Sequence, residues 1–492
     1  MRTVVVGAGL GGLSAACHLA GRGHEVVVID REPVPGGRAG RVDEAGFRID
    51  TGPTVLTMVG LLEQTFAAAG ADLSDHVTVR ALDPMYRACF PDGSELRVRR
   101  DHDAMVEEIR DFAGAGEAAA FGRFCAWLHD LYDLEMPHFI ARNYDSPLDL
   151  ARDPAALFRL VRLGALRKLA PTVASYFRDP RLQRIFSFQS MYAGLSPFEA
   201  LAIYSVITYM DTVEGVYFPE GGMHEVPRGL TRAAEKAGAT FQFGTAVDRI
   251  TRRADGAVQG VRLASSEVIA ADAVVCNVDV PVAYRSLLGL PPPRAAARGR
   301  YSPSCIVWLA GVRGRLPRDA SHHNIHFGRA WHEAFAAVLD RGERMPDPSI
   351  LVTSATASDP SLAPDGSSTL FALEPAPNLD GHVDWDRERP RLRDEIVGRV
   401  GALGYPVDDV VVEQLTDPRG WEAQGLERGT PFALAHRFFQ TGPFRPANVD
   451  RRIPGLVFAG MGTVPGVGIP MVLISGQLAA DRVDQWERAR RR

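Results

Sequence analysis

The stretch Val4-Val5-Val6-Gly7-Ala8-Gly9-Leu10-Gly11-Gly12 decides the fold of this chain. Three consecutive valines that lead straight into GxGxxG read as a buried strand entering a tight turn, and Leu13 to about Arg22 then reads as a helix. A second strand, Glu25 to Asp30, completes a βαβ unit, with Asp30 18 residues beyond Gly12. In such a unit Gly7 permits the turn, Gly9 lets the backbone approach a pyrophosphate, and Gly12 lets helix and strand pack closely. The helix N-terminus favours the negative charge. Asp30 is then placed to accept hydrogen bonds from an adenosine ribose. FAD, NAD and NADP all satisfy this motif, although an acid at position 30 disfavours a 2′-phosphate and therefore NADP.

Further along, Pro35-Gly36-Gly37-Arg38 is followed by Phe47-Arg48-Ile49-Asp50-Thr51-Gly52-Pro53. This continuation resembles the flavin-containing amine oxidase and carotenoid desaturase superfamily. The resemblance implies FAD, with the Gly-Gly-Arg element over its pyrophosphate and the Asp-x-Gly turn near the flavin. A guanidinium at Arg38 is suited to that task, because it neutralises phosphate through directional bonds. Two later segments, Tyr217-Phe218-Pro219-Glu220-Gly221-Gly222-Met223 and Gly460 to Met471, look like signatures of bacterial phytoene desaturases. The similarity covers nearly the whole chain and is loosest in the middle, where Arg142-Asn143-Tyr144-Asp145-Ser146-Pro147 carries it.

The implied FAD-binding set is Gly7, Ala8, Gly9, Gly11, Gly12, Asp30, Gly37 and Arg38 from the opening, and Thr54 and Val55 from the next turn. Val247 and Asn277 follow at the adenine side, then Gly462, Gly468 and Ile469 near the C-terminus. Gly466 and Gly468 are expected to let the backbone approach a ring system. Ile469-Pro470 would start a helix aimed at the flavin pyrimidine, where its dipole favours a reduced, anionic flavin.

Composition agrees with a folded protein: of 492 residues, 46% are apolar and 23% charged. The formal net charge of -5, from 55 basic and 60 acidic residues spread along the chain, gives no field for nucleic acid. Five widely spaced cysteines form no CxxC pair, so neither a disulfide framework nor a metal site is expected. The chain enters its first strand too early for a signal peptide, and no apolar run reaches the roughly 18 to 20 residues of a spanning helix. A cytoplasmic protein is expected.

The expected class is α/β, with a Rossmann-like FAD domain assembled from discontinuous segments 1–100, 220–290 and 422–492. Residues 101–219 read as an inserted helical region that is a candidate for membrane contact, and 291–421 as a sheet-containing substrate domain. Ser304 to Ala310 and Thr369 to Leu373 read as buried strands there. Asp255-Gly256 marks a hairpin before a final strand at Ala273 to Asn277.

The resemblance implies FAD-dependent desaturation of phytoene, a C40 apolar polyene precursor, with a quinone or oxygen as acceptor and peripheral attachment to the cell membrane. Such chemistry needs few polar catalytic groups, and no HExxH or GxSxG is present. Glu220, His224 and the pair His322-His323 are the candidates for a base or charge stabiliser, each with ordinary packing or solvation as its alternative, so no catalytic residue is assigned. Ala156 to Leu169, with Arg159, Arg162, Arg167 and Lys168, has the composition of an interfacial helix, although its apolar and basic residues do not sort onto two faces. The terminal Arg488, Arg490, Arg491 and Arg492 are candidates for anionic lipid. Competing readings are a relative that desaturates or isomerises another carotenoid, and an isoprenoid-binding protein like the Rab GDP-dissociation inhibitors, which has no need of Asp30 and Arg38.

Overall fold

The computed structural model describes residues 1–491. The valine runs form the centre of a parallel five-stranded sheet in the order Leu456–Phe458, Ala273–Cys276, Arg2–Val6, Glu25–Ile29, Thr240–Gln242. Both faces of a parallel sheet are covered, which is why these strands carry continuous valine and isoleucine rather than alternation. The helix Leu10–Gly21 follows the glycine turn and is buried along nearly its whole length, packed against Ile469–Arg491 and Glu225–Lys236. Gly12 makes that closeness possible: a Cβ there would lie 2.0 Å from the Gly7 carbonyl oxygen. The expected hairpin at Asp255-Gly256 joins Val247–Arg252 to Val258–Leu263, and Val268–Ala270 completes a small antiparallel sheet.

A seven-stranded sheet forms the second layer, in the order Val410–Thr416, Ser304–Arg313, Ser367–Ala376, Ile350–Thr353, His323–His326, Tyr86–Cys89, Glu95–Val98. The two expected buried strands are therefore direct antiparallel partners, Leu309 opposite Phe371. The hairpin Tyr86–Cys89 and Glu95–Val98 joins this sheet through a parallel pairing of Arg87 to Cys89 with Asn324 to His326. Those strands fall within 1–100, expected with the dinucleotide-binding segments, and the sheet they join is instead the one built from strands of 304–416. Their partner lies more than two hundred residues away, beyond any local pattern.

Between 101 and 219 the chain is mainly helical, led by His102–Ala113 and the 21-residue Ala115–Glu135. An aromatic cluster binds this region together, with Phe177 stacked on Phe186 at 4.6 Å and Phe124 edge-on to Phe177 at 5.2 Å. Ala156 to Leu169 is not one helix: Pro154–Arg162 ends at a turn, and a separate helix occupies Leu169–Tyr176. Gly164 takes a φ of +76°, which L side chains rarely adopt, and breaks the continuity. The terminal arginines continue the last helix to Arg491, with Arg490 paired to Asp272 at 2.6 Å and Arg491 to Glu487 at 2.6 Å. Arg492 lies outside the described residues. Among the described residues no helix is long and apolar enough to cross a membrane.

Candidate functional site

A cavity of about 610 Å³ lies between the three regions. The glycine loop contributes Leu10 and Gly11, the next turn Gly36 and Arg38, and the segment after it Thr51 to Val55. Opposite them come Gly460, Met461 and the run Val467 to Val472. The large sheet supplies an apolar floor through Val307, Ile325, Leu351 and Phe371, and the helical region adds Phe139, Leu160, Tyr204 and Met210. Leu166 and Phe438 line the cavity while 41% and 45% exposed, so it reaches the surface between the helical region and the loop at 438–444.

The dinucleotide end has the chemistry of an anion site. The N-cap residue of helix Leu10–Gly21 is Gly9, which has no side chain to cap it, leaving the start of the helix at Leu10 and Gly11 on the cavity wall. Arg38 is half-buried; its Nη1 donates to the Pro431 carbonyl at 3.1 Å and meets Met461 Sδ at 2.9 Å, and among the described residues Nε and Nη2 have no acceptor. Burial lowers its pKa, opposed by the nearby Asp279 carboxylate. A desolvated guanidinium with free donors beside an uncapped helix fits a pyrophosphate, and these residues would hold the FAD phosphates.

Asp30 is also engaged by protein. The Ala8 N–H donates to its Oδ2 at 2.6 Å and the Glu32 N–H to its Oδ1 at 2.8 Å, while burial raises its pKa. The carboxylate thus clamps the glycine loop to the end of the second strand, and its further lone pairs could accept from a ribose hydroxyl. Thr245 N–H donates to the Asp30 carbonyl at 2.8 Å, which brings Val247 to this outer end, away from the cavity wall.

Asn277 projects into the glycine loop. Its amide donates to the Ala459 carbonyl at 3.3 Å and accepts from the Gly12 N–H at 3.2 Å, tying two loops that are distant in sequence. Gly11, Thr54, Val55, Asn277, Gly468 and Ile469 reach the cavity together. Gly462 does not: a Cβ there would point at Val280 Cγ2, 3.0 Å away, and its neighbours Gly460 and Met461 line the wall instead. The ring that Gly466 admits belongs to the protein, His436.

None of the four candidates for base or charge stabiliser lies on the cavity wall. Glu220 pairs with Arg80 on the surface. His224 caps the turn before Glu225–Lys236, its Nδ1 2.8 Å from the Ala39 carbonyl. His322 and His323 are buried behind the sheet, bonded to Ser358 and Thr353 at 2.9 Å, and burial drives both below the usual imidazole pKa, His323 to about 3. His24, Asp484 and Glu487 approach one another elsewhere, where Arg22 and the N-terminal amine neutralise them.

Four polar residues of the site carry no motif. Arg445, buried just behind the wall, donates to the carbonyls of Met461 (2.7 Å), Thr463 (3.0 Å) and Leu434 (3.2 Å), stapling two loops beside the cavity. Tyr204 donates to the His436 carbonyl. Glu135 and Asp211 place carboxyl groups in an otherwise apolar wall. Arg445 was open to suspicion within Pro443-Phe444-Arg445-Pro446; the two acids had no sequence signal.

The sequence matches the family described as flavin containing amine oxidoreductase over residues 10–484. A phytoene dehydrogenase of Streptomyces griseus is 48% identical over 98% of this chain and 94% of its own length. A zeta-carotene-forming phytoene desaturase of Myxococcus xanthus is 37% identical over 99% and 95%. Among solved structures, an oxidoreductase from Methanosarcina mazei shares the fold at a TM-score of 0.62 and 18% identity, covering 97% of this chain and 99% of its own. The chain belongs to the flavin-containing amine oxidoreductase family, and within it to the carotenoid desaturase branch. It is an FAD-dependent oxidoreductase acting on CH–CH groups.

Proposed function

We propose that this protein is a phytoene desaturase that draws its C40 substrate from the cytoplasmic face of a membrane and dehydrogenates it in successive steps, with a quinone or oxygen as final acceptor. One observation carries the reading: the cavity that begins at the dinucleotide loops continues as an apolar passage to a surface rich in exposed apolar side chains. Phe158 is 67% exposed, Phe439 74% and Leu148 80%, around the mouth where Gly442–Phe444 packs against Pro147–Arg152. Exposed apolar groups of this size gathered at one opening suit a lipid surface, with Arg159 and Arg162 beside them for anionic headgroups.

FAD, when bound, supplies acceptance of a hydride. The chain's own work is to hold and to exclude. The floor Val307, Ile325, Leu351 and Phe371 orients an extended hydrocarbon and keeps water from the reacting carbons, and the turn Thr51 to Val55 with Val467 to Ile469 would hold the flavin. The start of helix Ile469–Arg491 lies on the cavity wall, where its positive end would favour negative charge on a reduced flavin.

Co-expression with a phytoene-producing pathway in a colourless host tests the proposal. New polyene bands in the extracted pigment are expected, their wavelengths counting the double bonds added. Unchanged phytoene beside folded yellow protein would move the substrate to another carotenoid; a colourless protein would revive the isoprenoid-binding reading.

A further inference from the structure

Removing two hydrogens from adjacent carbons leaves a proton to place, and an apolar cavity has few groups able to take one. Asp211 and Glu135 are the two carboxyl groups on the wall, and they differ in their surroundings. Asp211 Oδ1 accepts from Thr212 Oγ1 at 2.8 Å and from Gln189 Nε2 at 3.3 Å, while among the described residues no donor reaches Oδ2 and no cation pairs with the group. Glu135 accepts no side-chain hydrogen bond at all, and its Oε1 is enclosed without a partner. Bare burial holds Glu135 protonated, its pKa raised well above the usual value. The two donors on Asp211 instead support its anion against burial, leaving the pKa at about 7, where a base works best at neutral pH.

Position agrees with chemistry. Met210, its chain neighbour, packs with Met58 and Val206, and Met471 lies against them. Thr54, Val55, Gly468, Ile469 and Met471 line the same cavity as Met210 and Asp211, so the carboxyl shares that cavity with the segments that would hold the flavin. The facing titratable groups are the phenols of Tyr86 on strand Tyr86–Cys89, held neutral by burial, and of Tyr192 on the turn Phe188–Ala193, which is 39% exposed and, as a phenol, neutral at neutral pH.

We propose that Asp211 is the catalytic base of the desaturation, its free Oδ2 taking the proton from the carbon next to the one that gives up hydride. The electron pair of one C–H bond leaves with the hydride to FAD, the pair of the other becomes the new C=C bond, and the freed proton forms an O–H bond on Asp211. Reoxidation by a quinone or oxygen resets the flavin, and the carboxyl releases its proton before the next step. The inference rests on the carotenoid desaturation proposed above.

A structural role is the alternative, because Asp211 also organises Gln189, which accepts from Thr208 Oγ1 at 3.2 Å. Asp211→Asn separates the two: it keeps an acceptor for both donors and loses the basic oxygen. Anaerobic bleaching of the holoenzyme flavin by phytoene in liposomes is measured first on the unaltered protein, and if no bleaching occurs both the function and this assignment fall. Given bleaching, Asp211→Asn with full FAD should bleach at least about 100-fold more slowly. In the flavin-free protein carrying Asp50→Asn, which removes the other carboxyl titrating nearby at about 6, an infrared carboxylic acid band titrating near neutral pH should vanish when Asp211→Asn is added. Thr212→Val removes one donor and keeps the carboxyl, so it should move that band and the pH midpoint of bleaching upward. Bleaching by Asp211→Asn within threefold of the unaltered rate, a persisting neutral-pH band, or an unmoved midpoint in Thr212→Val would each overturn the assignment.

Discussion

The imidazole of His436 occupies the space where a side chain on Gly466 would begin: a Cβ there would lie 2.1 Å from the ring's Cε1. The ring is fixed from both nitrogens, with Nδ1 3.0 Å from Thr441 Oγ1 and the Val467 N–H donating to Nε2 at 3.4 Å. Burial keeps it neutral, so Nδ1 carries the proton and donates to Thr441. Gly466 itself holds a φ of +144°. Gly466→Ala therefore meets both strain and collision, together on the order of 3 kcal/mol, and should lose flavin as the loop shifts. His436→Ala in the same chain vacates the space and should restore part of the loss. Denaturant unfolding and flavin absorbance across the double-mutant cycle check the coupling; additive losses would break it.

Asn277 links the opening glycine loop to the strand end at Ala459, and alanine there leaves the Gly12 N–H and the Ala459 carbonyl unpaired in a buried place. The expected cost is about 2 kcal/mol of stability. Because the same amide lines the cavity, FAD affinity should fall with it. Equilibrium unfolding and FAD titration of Asn277→Ala measure the two effects separately.

What the sequence made legible was what is local. The strand, turn, helix and acid from Val4 to Asp30 are adjacent in the chain, and so are the glycines at 466 and 468 with the helix start at Ile469. Asp211 and Glu135 were invisible because their meaning comes from burial: a carboxyl reads as solvated until apolar neighbours from three segments enclose it. Gly462 enters the FAD-binding set by resemblance, and a side chain there would meet Val280, a neighbour no local pattern could name. The Tyr86–Val98 hairpin went to the wrong sheet because strand partnership is decided by tertiary packing. Histidines at 322 and 323 drew attention as a pair, while the imidazole at the cavity, His436, stood alone in the sequence.

Asp50 should leave a signature in stability against pH. The Met223 and His224 N–H groups donate to it at 2.8 and 3.1 Å, but burial outweighs them and raises its pKa to about 6 from 3.8. A carboxyl with a raised folded-state pKa binds its proton more tightly in the native chain, so stability falls as pH rises from about 4 to about 6 and is level above that. The full effect is on the order of 3 kcal/mol. The difference in unfolding free energy between the unaltered chain and Asp50→Asn, followed over that window, should show this slope. A flat difference would mean that Asp50 is not ionising there.

The mouth of the cavity separates membrane binding from folding. Phe158 and Phe439 are 67% and 74% exposed, so neither contributes much to the core, and Asp at either position should leave stability within about 0.5 kcal/mol. On a lipid surface the same rings would be buried, each adding about 1.5 kcal/mol of transfer free energy. Phe158→Asp with Phe439→Asp should therefore weaken partition to liposomes on the order of 100-fold, and more on anionic vesicles, where the new charges are repelled. Turnover of liposomal substrate should fall in proportion, while flavin content and unfolding midpoint stay level. Equal vesicle binding by the double variant would place the membrane face elsewhere on the molecule, and retained binding with lost turnover would mark these rings as the rim of the substrate passage alone.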